Sequence, residues 1–154
     1  MSEIRMITRN KKARHDFHIT ETLEAGVILL GSEVKSLRDG RASLKEAYVR
    51  IRRGEAWLVG CHIPEYPQAG IHQNHEPLRH RKLLLHRREL RRLIALVERS
   101  GHTLVPLSLY IKDAHIKLEI GLAKGKKKAD KRHDIKKRDM ERDADREIRE
   151  RQRN

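Results

Sequence analysis

The sequence predicts a mainly β protein, built as a closed or partly closed antiparallel barrel of about six short strands with one substantial helix. Alternating apolar and polar residues recur in short runs between turn residues, which is typical of an antiparallel sheet. Only one long segment has apolar residues at helical spacing. Six short strands in a chain of 154 residues favour a barrel over a parallel sheet. Aromatic residues make up only 3% of the chain, so we expect an aliphatic core.

The first part of the chain is predicted to be a polar, basic arm followed by strands. The arm covers residues 1–16, and strand signals begin at Phe17. The apolar run Gly26–Leu37 is predicted as a strand that ends in a turn at Asp39–Gly40. A smaller helix is expected either near Ala42–Lys45 or in the arm.

The middle of the chain is predicted to be a hairpin, then a loop, then the long helix. Residues 46–63 alternate on both sides of Arg53–Gly54, which indicates two paired strands. Residues 64–77 are loop-like, with two prolines at the ends and a third inside. The helix is predicted from apolar residues at helical spacing: Leu83, Leu90, Leu93, Ile94 and Val97.

The helix is expected to end at Gly101, where a C-cap glycine belongs. Two more strands are predicted at Leu104–Ile111 and Ile116–Leu122, joined by a short turn near Asp113–Ala114. The second strand alternates cleanly, with Leu118 among the residues of its apolar side.

The charge of the chain points to an anionic partner. Its net charge is +14 and its isoelectric point is near 10.3, and the nucleic-acid backbone is the commonest cellular surface that matches so much Lys and Arg. The last 31 residues hold fourteen Lys or Arg and eight Asp or Glu, and they carry +6 of this charge. The remaining body carries +8, so we expect two contact surfaces. The predicted division is an RNA-binding barrel at 1–123 and a basic tail at 124–154.

The tail has the pattern of a helix that forms only on a partner. Acid-first pairs four residues apart, such as Asp134 with Arg138, support a helix by only about 0.2–0.5 kcal/mol each. With few apolar residues to bury, the free tail is expected to be disordered. Fully helical, residues 130–154 would span roughly 37 Å.

Composition argues against several other classes. The lone Cys61 excludes an internal disulfide framework and suits a reducing compartment. No apolar run is long enough for a membrane span or a signal core, so we expect a cytoplasmic protein with no membrane contact. His72 and His75 have HxxH spacing, but no further ligand stands nearby, and surface histidines are the simpler interpretation. No metal, cofactor or catalytic residue is predicted.

Three charged features allow two interpretations each. Glu33, inside a predicted strand, is either a surface residue paired with Lys35 or a carboxylate that contacts a nucleobase or orients a basic neighbour. The arginines at 88–99 either bind phosphate or form the solvated face of a helix. The lysine-rich segment at 121–128 is either an electrostatic grip on RNA or a solvated linker.

Four ordered blocks of residues resemble the SmpB family, the SsrA-binding proteins, over essentially the full length. The blocks are Asn10-Lys11-Lys12-Ala13-Arg14-His15-Asp16, Glu24-Ala25-Gly26, Gly31-Ser32-Glu33-Val34-Lys35-Ser36-Leu37-Arg38, and Gly121-Leu122-Ala123-Lys124-Gly125-Lys126-Lys127 followed by Asp130-Lys131-Arg132. One departure is that Ser32 stands where the family commonly has tryptophan, which could alter packing beside Glu33.

The resemblance implies an oligonucleotide-binding-type β-barrel with flanking helices, active in bacterial trans-translation. It implies that the barrel binds the tRNA-like domain of transfer-messenger RNA (tmRNA). The tail would then enter the small-subunit decoding centre and the empty mRNA channel of a stalled ribosome. It further implies delivery by elongation factor Tu with GTP, a monomeric protein and no enzymatic activity.

Carried onto this sequence, the resemblance assigns two sets of residues. The RNA-binding set is Asn10, Lys12, Arg14, His15, Glu33, Lys35, Leu84, Lys124, Lys126, Lys127 and Lys128. The ribosome-binding tail set is Asp130, Lys131, Arg132, Ile135, Lys136, Arg138, Asp139 and Arg142. The alternative function is a ribosomal or ribosome-assembly protein that binds ribosomal RNA, and an RNA-processing nuclease represents the enzyme class.

Overall fold

The computed structural model describes residues 3–70 and 72–125, which form one antiparallel sheet with three α-helices packed around it. The strands are β1 (Ile4–Arg9), β2 (Phe17–Val27), β3 (Tyr48–Arg52), β4 (Glu55–Val59), β5 (Arg81–Leu84), β6 (Thr103–Lys112) and β7 (His115–Gly125). The helices are α1 (Ala13–Asp16), α2 (Gly31–Arg38) and α3 (Arg87–Ser100), and Pro67–Ala69 is a single 3₁₀ turn.

The sheet has the strand order β1-β6-β7-β2-β5-β4-β3, and every pairing in it is antiparallel. Four strands separate β6 from β3 in this order, yet the two strands contact each other. The sheet therefore curls back on itself. This confirms the mainly β prediction and is consistent with the oligonucleotide-binding-like barrel that the family resemblance implies.

An aliphatic core fills the curled sheet, as the composition predicts. Leu58, Leu93, Leu118 and Ile120 are fully buried in it. Strand β6 is buried on both faces, because Leu104 and Leu109 face this core while Val105 and Leu107 face a smaller cluster under α1. Its alternation is therefore masked by apolar residues on both sides.

Several predicted elements are confirmed. The hairpin at 46–63 is β3–β4, and its two-residue turn holds Arg53 and Gly54 at positive φ, as a type I′ turn requires. Helix α3 ends at Gly101, whose φ of 64° is the left-handed C-cap conformation. Asp113 and Ala114, also at positive φ, form the turn between β6 and β7.

Other predictions are wrong. The run Gly26–Leu37 is not one strand, because β2 ends at Val27 and α2 begins at Gly31. Leu83 lies in β5 rather than in the helix, and its side chain is buried in the core. The alternative site for a small helix at Ala42–Lys45 is not helical, although the other, in the arm, is α1.

The arm also contributes a seventh strand, since β1 pairs with β6. At the other end, β7 continues to Gly125, two residues past the predicted end of the barrel. Among the described residues, no helix is long and apolar enough to cross a membrane.

Candidate nucleic-acid interface

The N-terminal arm is fastened to the sheet by Asn10. Its backbone N–H donates to the Leu107 carbonyl at 2.8 Å, and its side-chain Nδ2 donates to the Pro106 carbonyl at 3.0 Å. Both acceptors belong to β6. Asn10 therefore determines where the chain leaves β1 and enters α1.

Helix α1 presents basic side chains to solvent because its one alanine is buried. Ala13 packs with Val105, Leu107 and Ala123 in the smaller apolar cluster. Its neighbours in the predicted RNA-binding set are all exposed: Lys12, Arg14 and His15. Burial of one small residue thus fixes the helix with its charges outward.

The pairing of β2 with β7 brings Lys124 to the same end of the barrel. His18 pairs with Lys124, and Phe17 pairs with Gly125, so β7 ends beside the start of β2 and beside α1. We call the exposed residues Lys12, Arg14, His15 and Lys124 the basic end. Within residues 3–70 and 72–125, none of the ion pairs includes one of these side chains. As far as the described residues go, the basic end therefore has no acidic partner and can meet an anionic one.

Glu33 lies in α2 and not in a strand, and its side chain is 0% exposed. Its carboxylate accepts from Arg81 Nε at 2.5 Å, from Arg79 Nη2 at 2.6 Å and from the Leu30 backbone N–H at 2.8 Å. The surface interpretation, with Lys35 as the partner, is therefore wrong. So is direct contact with a nucleobase in this conformation, because the buried carboxylate is already fully bonded. What remains is orientation of basic neighbours.

The two arginines bonded to Glu33 differ in exposure, and this decides what each can do. Arg81 is fully buried and also donates to the Cys61 carbonyl at 2.7 Å, so it ties β5 to the end of the hairpin. Arg79 is 31% exposed and reaches the surface. Glu33 thus holds Arg79 in place at the protein surface.

Electrostatics keep Glu33 ionised. Burial by itself raises the pKa of its carboxyl, but hydrogen bonds from Arg79 and the Leu30 N–H, together with the charge of Arg81, outweigh that effect. The pKa of Glu33 therefore lies below its ordinary value. The same cluster lies beside Cys61, where burial raises the pKa of the thiol to about 11.

Leu84 and Lys35 lie on the surface near this cluster. Leu84 is 53% exposed on β5 and pairs with Gly26 at the far end of β2. Lys35 is exposed on α2, with its Nζ 5.6 Å from the centre of the Tyr66 ring. The sequence-predicted residues therefore form two groups, at opposite ends of β2. His18 and Gly26 mark these ends, roughly 27 Å apart at about 3.4 Å per residue.

Comparison with known proteins matches residues 7–150 to the family model described as SmpB protein. The chain belongs to the SmpB family. The match confirms the resemblance and covers both the described barrel and most of the tail. It also extends beyond residue 125, so the family pattern continues through the segment that holds the predicted ribosome-binding residues.

Curated SmpB-family relatives match the chain over nearly its whole length. The SsrA-binding protein of Roseiflexus castenholzii is 56% identical over 149 residues, which are 97% of this chain and 94% of that protein. The SsrA-binding protein of Geobacillus thermodenitrificans is 53% identical over 150 residues, which are 97% of this chain and 96% of that protein.

A solved structure also matches the SmpB-family fold of this chain. It is described as "tmRNA-SmpB: a journey to the center of the bacterial ribosome", and the superposition has a TM-score of 0.66 at 43% sequence identity. It covers 83% of this chain and 93% of the solved chain.

Ser32, where the sequence predicts a departure from the family pattern, is engaged in the fold. Ser32 is buried, and its Oγ lies 2.8 Å from His75 Nδ1, while His75 Nε2 lies 2.8 Å from the Ile63 carbonyl oxygen. His75 is thus a buried structural residue, and its interpretation as a surface histidine is wrong. Within the described residues, no group of three potential ligands could hold a metal ion.

The arginines of helix α3 differ in what they contact. Arg92 makes a bidentate pair with Glu21 of β2, at 2.6 Å and 2.5 Å, so this arginine docks α3 onto the sheet. The side chains of Arg88, Arg91 and Arg99 are exposed. Lys126 to Lys128 and the whole tail set, from Asp130 to Arg142, lie outside the described residues.

Sequence reasoning missed Arg79 and Arg81. A signal for Arg81 was present, because alternation along β5 places it on the same side as the buried Leu83. An arginine on a buried face requires an acidic partner, and Glu33 is that partner.

Proposed function

We propose that this protein binds the tRNA-like domain of tmRNA and brings that RNA to stalled ribosomes for trans-translation. The observation that carries the proposal is the basic end, where the arm and β7 place exposed cations together in a chain of the SmpB family. Relatives that bear the name SsrA-binding protein and a solved tmRNA–SmpB structure support the same assignment.

Two separated surfaces let the barrel hold a folded RNA in one orientation. The basic end contacts phosphates, and the surface around Leu84, Lys35 and Arg79 contacts the RNA roughly 27 Å away. Contact at one point leaves a rigid partner free to pivot, whereas contact at two points fixes its direction. This suits folded RNA, which proteins recognise largely by shape and by unstacked bases.

The tail supplies the second half of the function. We propose that the tail beyond β7, residues 126–154, enters the small-subunit decoding centre and the empty mRNA channel and becomes helical there. The channel is lined with phosphate, so a basic helix roughly 37 Å long can follow it. The tail residues assigned to this contact are Asp130, Lys131, Arg132, Ile135, Lys136, Arg138, Asp139 and Arg142.

The protein acts by binding, as a cytoplasmic monomer, and catalyses no reaction of its own. Elongation factor Tu with GTP delivers the complex through the charged RNA. The tail detects the absence of message, because an occupied channel leaves no space for it.

The test separates the two surfaces. A chain truncated after Gly125 is expected to retain binding to the isolated tRNA-like domain, measured by gel shift, and to lose peptide tagging on ribosomes stalled without a stop codon. The control is a full-length chain whose tail residues are scrambled, so that composition and charge are unchanged. Equal loss of RNA binding and tagging on truncation would refute the two-surface proposal.

A competing RNA distinguishes the alternative function. If a ribosomal RNA fragment binds the full chain as tightly as the tRNA-like domain does, at the same salt concentration, then the protein is a ribosomal or assembly factor. We expect the tRNA-like domain to bind more tightly.

A further inference from the structure

The outer face of β3, β4 and β5 carries the only tryptophan in the chain. Arg50 pairs with Trp57, and Trp57 pairs with Lys82, so these three side chains lie side by side across three strands. The flanking residues Ala56 and Leu58 are buried in the core. Strand alternation therefore places the indole on the outer face, where it is half-buried.

Arginines surround this indole. Tyr48, Arg50 and Arg52 alternate along β3 and are exposed on its outer face. Val49, between Tyr48 and Arg50, faces the core. Arg53, in the hairpin turn, joins Arg50 and Arg52 in lining a groove that also contains Trp57. The groove thus combines the Trp57 ring with three guanidinium groups.

The positive charge of this face is not cancelled within the described part of the chain. Its acid, Glu55, accepts from Lys82 Nζ at 3.1 Å, so these two charges neutralise each other. Among residues 3–70 and 72–125, no ion pair includes Arg50, Arg52 or Arg53.

The ring of Trp57 borders a groove. Trp57 is half-buried and lines this groove together with Arg50, Arg52 and Arg53. An indole in the wall of a groove, between unpaired arginines, matches an unstacked nucleotide, because a base stacks on the ring while its phosphates meet the guanidinium groups. Phosphates of a duplex alone would need no aromatic ring.

The face is continuous with a surface already assigned to RNA. Lys82 and Leu84 are two residues apart on β5, so they point to the same side of the sheet. Leu84 belongs to the surface that the proposed function places against the tRNA-like domain.

We propose that the outer face formed by Arg50, Arg52, Arg53, Trp57 and Lys82 binds an unpaired nucleotide of the tRNA-like domain of tmRNA. The base stacks on Trp57, and the flanking phosphates contact the arginines. This inference rests on the proposed function and extends the RNA surface from Leu84 to the edge strand β3.

The single tryptophan is a direct probe of this contact. The full-length protein is titrated with the tRNA-like domain, and indole fluorescence is recorded in parallel with a gel shift. We expect fluorescence quenching that follows the gel-shift curve, because a stacked base quenches the indole. Trp57→Leu should weaken binding by roughly 5- to 150-fold, the effect of losing one base–aromatic stack. Trp57→Phe, which keeps a ring, should recover most of the affinity.

The arginines are tested by salt dependence. Replacing Arg50 and Arg52 together by Gln should reduce the slope of log affinity against log salt by about 1–2. The variant would contact fewer phosphates, so its binding would release fewer counterions from the RNA. The matched control is Arg41→Gln with Lys45→Gln, which removes the same charge from exposed positions outside this face. The control should leave affinity and slope unchanged.

The outcomes separate this inference from the function on which it rests. Tight binding without quenching, or with Trp57→Leu and the double arginine variant both unaffected, overturns the inference and leaves the proposed function standing. Absence of binding by the unaltered protein overturns both. If Trp57→Leu does not fold, as judged by its circular dichroism, then quenching and the salt slope of the double arginine variant decide the matter.

Discussion

Glu33→Gln is the change that most directly tests how the barrel is held together. The substitution keeps the size of the side chain but removes its negative charge. Arg81, fully buried, would then keep its charge without an anionic partner. Arg79, at the surface, could turn toward water instead. The expected effect is therefore a large loss of stability that arises mainly from Arg81.

The magnitude follows from the bonding of the carboxylate. It accepts charge-assisted bonds from two arginines and a bond from the Leu30 N–H, and breaking a buried pair by removing one partner costs about 3–5 kcal/mol. Domains of this kind are stable by only about 5–15 kcal/mol, so the variant would lose a large part of its free energy of unfolding. The thermal midpoint should fall by roughly 10 °C or more.

The assay is urea unfolding followed by circular dichroism. The matched control is Glu55→Gln, which removes a carboxylate from the half-exposed pair with Lys82 and should cost less than about 1 kcal/mol. Combining Glu33→Gln with Arg81→Met removes both buried charges and should recover much of the loss. If Glu33→Gln alone stays within about 0.5 kcal/mol of the unaltered protein, a typical effect of a surface substitution, the buried-pair argument is refuted.

Two further predictions concern pH and one glycine. The pKa of Glu33 is lowered in the folded state, so its contribution to stability is present above the ordinary value of 4.5 and is lost as the pH falls through the folded-state pKa. The free energy of unfolding in acid should therefore depend less on pH for Glu33→Gln than for the unaltered protein. Parallel curves for the two proteins would contradict this. Gly60→Ala should destabilise the barrel by several kcal/mol in thermal unfolding, because φ is +75° and the new Cβ would lie 2.5 Å from the Glu46 carbonyl oxygen. Gly101→Ala, at φ +64° in open space, should cost only about 1–2 kcal/mol. Equal losses would show that the close approach at Gly60 is unimportant.

The strands that the sequence predicts well are those with one face toward the core and one toward water. In β7, Leu118 and Ile120 are buried and Glu119 between them is more exposed, so the period of two is visible in the sequence. The hairpin turn at Arg53–Gly54 is equally local, because glycine at positive φ needs only its neighbours to specify a turn.

Helix α2 could not be identified by the same reasoning. Short apolar runs fit a buried strand or a buried helix equally well. The pattern that marks the helix is its buried face, where Ser32 and Ser36 are four residues apart, as are Glu33 and Leu37. Because three of these four residues are polar, the helix shows no apolar periodicity in the sequence. The capping pattern was present, since Glu33 at the third helical position accepts a hydrogen bond from the Leu30 N–H.

The two groups of predicted RNA-binding residues illustrate the same division. The family resemblance assigns Arg14, Lys35 and Leu84 to RNA binding, but nothing in the sequence states which of them are neighbours. Strand register decides that, by placing Lys124 opposite His18 and Leu84 opposite Gly26. The predicted RNA-binding residues therefore lie on two surfaces, at opposite ends of β2.

The sequence by itself determined the local properties of this protein: the β-rich pattern, the turns, the excess of positive charge and the membership of the SmpB family. These depend on residue type and on spacing along the chain. Only the tertiary structure decided that Glu33 is buried with Arg81 and that Trp57 lines a groove among arginines. Both facts depend on partners many residues away in the sequence. The burial that strengthens the Glu33–Arg81 pair, and the strand pairing that sets Trp57 beside arginines, exist only once the sheet has closed.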